Sequence, residues 1–177
     1  MMDVVGIGSA LFDILMTAEG FPAEDTKMQG KETKLQCGGP CATGLVAMSK
    51  LGVSACYMGT LGDDMYGQYV VDGFQKYGVS TDHIRYIPGK QSFHSFVLLN
   101  LTNASRTCVF HRGTVPPTQL DEQAKQAIRE AKLLMVDGNE LDAAVEAAKL
   151  ARESGVKVLY DCGGLYPNVE KLLSYTD

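Results

Sequence analysis

The sequence has no cluster of lysine and arginine, and across its 177 residues 16 basic side chains face 21 acidic ones, for a formal charge of −5. That balance argues against a phosphate-backbone footprint or an anionic membrane surface and favours a small, soluble ligand, with neither nucleic acid nor membrane as a partner. No segment approaches the length of a membrane span, and "MMDVVGIG" opens the chain without a basic region or a long apolar stretch, so a cytoplasmic protein is expected. Histidine is scarce: only His83, His94 and His111 occur, and with them no zinc-ligand spacing among the cysteines. The five cysteines (37, 41, 56, 108 and 162) are odd in number and lie mostly in apolar segments, which reads as structural thiols in a reducing compartment. The short signatures G-x-x-x-x-G-K-[ST], G-x-S-x-G and H-E-x-x-H are all missing. Gly6 and Gly8 begin a G-x-G-x-x-G, but Leu11 stands where its third glycine belongs and a strand follows in place of a helix. This counts against a nucleotide-cofactor oxidoreductase on a doubly wound sheet.

What is present is an ordered series of strand and helix signals in a chain of 45% hydrophobic content, enough for one domain with a real core. "DVVGIGSA" reads as a short buried strand ending near Gly8, because its apolar run is continuous and glycines close it. The stretch from Leu11 to Gln36 mixes strand-like pieces with turn signals at Gly20, Pro22 and Gly30, so it reads as a β excursion. Pro40 to Leu51 is apolar on nearly every side and suits a helix buried on a sheet, stopped by Gly52. "VSACYMGTLG" predicts a second strand, and Tyr66, Val70, Phe74 and Tyr77 predict a helix behind Asp63 and Asp64. Residues 82 to 111 read as a second β excursion built from "HIRYI", "FHSFVLLNL" and "RTCVFH". Helices from about Asp121 and Leu141 then alternate with the strands "KLLMVDG" and "VKVLYD". Such β/α repeats imply a parallel sheet with covering helices.

Two features carry chemistry. Asp13 sits among apolar neighbours in "ALFDILM", where an unpaired carboxylate is costly, so it needs a partner. A backbone amide, a lysine or the hydroxyls of a polyol would each serve. Gly38 and Gly39 precede Pro40 in "QCGGPCATGLVAMSKLG". Lacking Cβ atoms, they allow close approach of another molecule at a helix mouth whose N–H groups favour electron-rich oxygens, or they form a tight strand-to-helix turn that needs no ligand.

"GSALFDIL", "CGGPCATGLVAMSKLG" and "MGTLGDDMYG", in this order and at these intervals, resemble the amino-terminal part of the ribokinase-like (phosphofructokinase B-type) carbohydrate kinases. "SRTCVFHRG" resembles that family's second lid hairpin and the loop after it, and "LLMVDG" and "VKVLYDCGG" resemble two of its central strands, so the likeness covers residues 1–177. The resemblance implies an α/β, Rossmann-like three-layer sandwich with a small β lid, its lid segments at about 14–36 and 90–111, apparently truncated at the C-terminus. It implies transfer of the ATP γ-phosphoryl group, with Mg²⁺, to a sugar hydroxyl. By position, Asp13 would bind sugar hydroxyls, Gly38 and Gly39 would line the sugar site, and Asp63 and Asp64 would mainly cap the following helix. Arg112 would meet an anionic sugar group, or else is an exposed loop arginine. Lid sheets of this kind often pair, which implies a possible homodimer.

Two departures from the family pattern stand out. Thr43 replaces an asparagine that helps hold the sugar, keeping one hydroxyl but losing an amide's paired donor and acceptor. The family's Asn-x-x-Glu segment and its Gly-Ala-Gly-Asp motif, which supplies the base and the amide cradle, do not occur, so the expected base lies beyond Asp177 and no catalytic residue is assigned within the chain. Because phosphoryl transfer rests on positioning and charge stabilisation, residues 1–177 alone are expected to bind sugar weakly without turnover. The alternative is a non-catalytic α/β sugar-binding or assembly module that pairs through the lid's open strand edges.

Overall fold

The computed structural model, which describes residues 2–177, places β1 (Val4–Ile7) at the centre of a five-stranded parallel sheet. The sheet runs in the order β5 (Ser80–Ile87), β4 (Ala55–Gly62), β1, β8 (Leu133–Val136), β9 (Lys157–Tyr160). All four residues of β1 and all eight of β4 are buried, as continuous apolar runs require when helices cover both faces of a sheet. On one face, α1 (Pro40–Lys50) and α2 (Met65–Lys76) bury Cys41, Leu45, Val70 and Phe74 against Val4 and Tyr57. On the other, α3 (Glu122–Glu130), α4 (Leu141–Glu153) and α5 (Glu170–Leu173) bury Ile128, Leu172 and the small residues Ala144, Ala147, Ala148 and Ala151 against Val5, Ile7, Leu134 and Val158. The alanine stripe lets α4 lie close to the strands.

A separate four-stranded sheet has the order β3 (Glu32–Gly38), β2 (Leu11–Ala18), β6 (His94–Asn100), β7 (Arg106–His111). Only its β2–β6 contact is parallel, with Asp13 opposite Ser95. This is the β lid. The chain enters it from the carboxyl ends of β1 and β5, so the small sheet stands over that end of the parallel one.

One boundary differs from expectation. "HIRYI" belongs to β5 in the parallel sheet, pairing Met58 with His83 and Gly59 with Ile84, and the second excursion begins only after it. The reason is the crossover: Gly78, at φ 74°, ends α2 sharply and returns the chain beside β4, and a strand reached through one helix lies parallel to its predecessor.

Candidate functional site

In an open parallel sheet the crevice for a ligand lies outside the carboxyl ends of the strands, where connections diverge to either side. Here that point is the end of β1, with β4 on one flank and β8 on the other. A cavity of about 410 Å³ opens there, lined by Gly8 and Ser9 after β1, Leu61 at the end of β4, Asn139 after β8, and Phe93 and Arg112 from the roots of the lid.

Asp13 projects from β2, and its Oδ1 accepts a hydrogen bond from the Ser95 hydroxyl across the strand pair. Its Oδ2 lies against Gly38: a Cβ added at that glycine would be 2.1 Å from it. Among the described residues no lysine or arginine makes an ion pair with Asp13. Of the partners open to it, neither a salt link nor a backbone amide is used; a serine hydroxyl is, and Oδ2 keeps acceptor capacity beside a residue without a side chain.

Gly39 is the N-cap of α1, at φ 101° and ψ 133°. A Cβ there would stand 2.3 Å from the Ser9 carbonyl oxygen, so the close approach is to the chain's own backbone. The first turn of α1 also departs from expectation. Pro40 has no N–H, the Cys41 amide donates to Asp137 Oδ2 at 3.1 Å, and the Ala42 amide donates to the Ser9 carbonyl at 3.2 Å. The helix mouth thus spends these donors inside the fold, one on a buried carboxylate and one on the Ser9 backbone carbonyl. What the glycine pair offers is space.

That carboxylate, Asp137, is the residue sequence reasoning missed. It is 1% exposed and sits one residue beyond β8. Oδ2 also accepts from the Ser9 amide at 2.8 Å and the Ser9 hydroxyl at 2.6 Å, and Oδ1 accepts from the Asn139 amide at 3.0 Å and its side-chain amide at 3.2 Å. One carboxylate therefore ties the end of β8 to the turn after β1 and the start of α1. The available signal was related to the one that singled out Asp13: an acid against an apolar run, here at its end in "LLMVDG". Burial, and then the Asp137 charge, pushes the Cys41 thiol well above its ordinary range. Burial likewise pushes up the Tyr57 phenol, which donates to the Gly8 carbonyl at 2.8 Å.

Arg112 lies just past β7, over the rings of Phe93 and Phe110 at 5.7 and 5.8 Å, and donates to Asn139 Oδ1 at 3.3 Å. It shares the cavity of Ser9. Thr43 does not: it is exposed, one turn into α1, and lines a different cavity of about 410 Å³ with Cys37, Tyr69 and Asp72. The structure therefore joins Asp13 to Gly38, Gly39 to Ser9, and Arg112 to Ser9, and leaves Thr43 on the far flank of the helix. Asp13, Gly38 and Gly39 do not line the cavity themselves; its walls supply Ser9, Asn139 and an aromatic-backed guanidinium around a hollow the size of a small polar molecule, which the glycine pair reaches through the Gly39–Ser9 contact.

The model of one family, described as "pfkB family carbohydrate kinase", matches residues 1–177. The deoxyribokinase of Salmonella typhi is 23% identical over 162 residues, which are 89% of this chain and 52% of that protein. The 5-dehydro-2-deoxygluconokinase of Halalkalibacterium halodurans is 27% identical over 169 residues, covering 90% of this chain and 49% of that one. The chain thus spans about half the length of the relatives it matches. Among solved structures, Arabidopsis thaliana ribokinase complexed with ribose and ATP superposes with a TM-score of 0.84 at 24% identity, over 99% of this chain and 58% of that one, and shares its fold.

Proposed function

The chain belongs to the pfkB family of carbohydrate kinases, and on that premise we propose that it supplies the sugar-binding cleft and β lid of an enzyme that phosphorylates a sugar hydroxyl. The observation that carries the reading is the contact of Asp13 with Gly38: a carboxylate with acceptor capacity to spare, pressed against a residue with no side chain, at the root of a lid. In this reading Asp13 accepts hydrogen bonds from sugar hydroxyls and Gly38 leaves its carboxylate room to do so, while Gly39 serves the fold through its contact with the Ser9 carbonyl. Thr43, which lines the other cavity, takes no part, and Arg112 donates to an oxygen-rich or anionic substituent. Phe93 and Phe110 back the guanidinium with their rings. The relatives named for ribose, deoxyribose and a gluconate derivative agree with a small polyol or sugar acid.

ATP with Mg²⁺ supplies the transferred phosphoryl group in the proposed reaction. Among the described residues no three His, Cys, Asp or Glu side chains converge to hold a metal, and the chemical step is not assigned to them. This chain's residues bind, orient and shield the acceptor sugar. We further propose that the lid's open edges form a homodimer surface: every residue of β7 is exposed, Val109 at 69%. Among the described residues no helix is long and apolar enough to cross a membrane, and the five free thiols agree with a cytoplasmic setting.

Calorimetric titration of the purified chain with D-ribose, D-fructose and D-gluconate, and separately with NAD, tests the reading. Heat with a sugar, abolished in Asp13→Asn, is the expected result. Heat with NAD alone would point to an oxidoreductase, and heat with none of these to a non-catalytic assembly module. ATP-dependent phosphorylation by the 177-residue chain would overturn the division of labour proposed here.

A further inference from the structure

We propose that Asp64 is a positioning residue that pins the lid over the cavity, beyond its role as a helix cap. A cap needs one acceptor, as Asp121 shows at α3, where the side chain takes only the Ala124 amide at 2.8 Å. Asp64 takes three donors from two segments. Its Oδ1 accepts from the Gly67 amide at 2.9 Å and the Ser92 hydroxyl at 2.8 Å, and its Oδ2 accepts from the Ser92 amide at 3.0 Å. The Ser92 hydroxyl, on a residue that is 0% exposed, accepts in turn from the Gly62 amide at 2.9 Å. Asp63, expected to share the capping, instead accepts from the Gly89 amide at 2.8 Å. The two adjacent acids thus hold residues 89–92, the passage from β5 into the lid, against the end of β4 and the start of α2.

The packing leaves this joint no slack. A Cβ at Gly62 would lie 2.0 Å from the Lys90 carbonyl oxygen, and one at Gly67 would lie 2.3 Å from the Gly62 carbonyl oxygen and 2.7 Å from Ser92 Oγ. From Ser92 the constraint runs straight into the candidate site. The Phe93 carbonyl accepts from the Phe12 amide at 3.1 Å, the His94 ring stacks on Tyr66 at 4.3 Å, and Ser95 donates to Asp13. The strand leaving the lid is tied to the same joint. The Thr114 amide donates to the Gln91 carbonyl at 2.8 Å, and the Gln91 amide donates to Thr114 Oγ1 at 2.9 Å, two residues past Arg112. Fixing residues 89–92 therefore fixes both the Ser95–Asp13 pair and the root of Arg112.

Asp64→Asn separates the two roles, since asparagine caps helices as well as aspartate but its amide nitrogen cannot accept from a backbone N–H. Hydrogen–deuterium exchange of the full 177-residue chain is the test. The expected result is exchange about tenfold faster or more through β2, β6 and β7, with β1, β4 and β8 at wild-type rates. Unchanged lid exchange would overturn the proposal, and so would a rise spread evenly over both sheets. An equal lid response to Asp121→Asn would do the same. Ser92→Ala, which removes the hydroxyl link and keeps the backbone, is the second variant and carries the same expectation. The effect on sugar affinity rests on the function proposed above and is read separately, by titrating Asp64→Asn with D-ribose. If the wild type takes up no ribose or other sugar, that reading fails while the exchange result stands.

Discussion

Asp13 Oδ2 and Gly38 are in contact so close that a methyl group on the glycine would sit 2.1 Å from the carboxylate oxygen. The obstructing atom is the end of a side chain, which can rotate away. Gly38→Ala is therefore expected to leave the fold nearly intact, with a stability loss of about 1 kcal/mol, while turning the Asp13 carboxylate out of the site. Gly39→Ala meets backbone instead, the Ser9 carbonyl oxygen at 2.3 Å, at φ 101° where L-residues are strained. Its expected loss is about 3 kcal/mol or more. Urea unfolding and sugar titration of the two variants check the contrast. Equal stability losses, or sugar affinity kept in Gly38→Ala, would show that the pair does not divide into a binding and a folding residue.

Asp137 is expected to matter for stability more than any residue of the sugar site. Replacing it with alanine strands the amides of Ser9, Cys41 and Asn139 in a buried position with no acceptor. Each lost bond to a charged group is worth about 1.5–3 kcal/mol, and partial relaxation leaves a net cost of about 3–5 kcal/mol. For a chain of this size that is a fall in Tm on the order of 10 °C. Differential scanning fluorimetry of Asp137→Ala against Asp13→Ala checks it, with the larger fall expected for Asp137.

The order of strands and helices was legible because each buried strand is a continuous apolar run closed by glycine or an acid. Asp13 and Gly38 were legible because an acid within such a run and a glycine pair at a helix mouth are both locally costly. What was not legible depends on distant partners. Asp137 meets Ser9 across 128 positions and Cys41 across 96, and nothing near "MVDG" announces those donors. The expectation of free amides at α1 failed for the same reason. "HIRYI" was misplaced because an edge strand, half exposed, carries the same alternation as a lid strand.

Two surface acids, Asp177 and Asp3, have carboxyls depressed in the folded state. Lys157, the Val158 amide and Arg152 hold the Asp177 carboxyl at about 2, below its ordinary 3.8. Lys132 and Ser54 hold that of Asp3 below the carboxylate range as well. A carboxyl depressed in the folded state stabilises fully above its unfolded pKa and loses that contribution as pH falls through the folded one. The stabilisation from Asp177 is thus present at neutrality and disappears between 3.8 and about 2. Asp177→Asn should unfold at lower urea at neutral pH and converge with the wild type in strong acid. Parallel curves would show that the Lys157 and Arg152 contacts contribute nothing in solution.

Cysteine labelling gives an independent reading of the lid surface. Burial pushes the thiols of Cys41 and Cys56 up, and both side chains are inside the fold, so neither should react until the chain unfolds. Cys37, half-buried, is pushed up by burial and then by the charges of Asp13 and Asp72, and should react slowly. Cys108 and Cys162 are exposed and should react first. They differ in place: Cys108 is on β7, at the open edge of the lid, and Cys162 follows β9 in the other sheet. If lids pair in solution, labelling of Cys108 by a thiol-specific reagent slows as protein concentration rises, and that of Cys162 does not. Sedimentation over the same range should show the mass doubling as Cys108 becomes protected. A monomer at all concentrations, with Cys108 labelling at a constant rate, would remove the lid as a dimer surface and leave its apolar edge as a feature of the single chain.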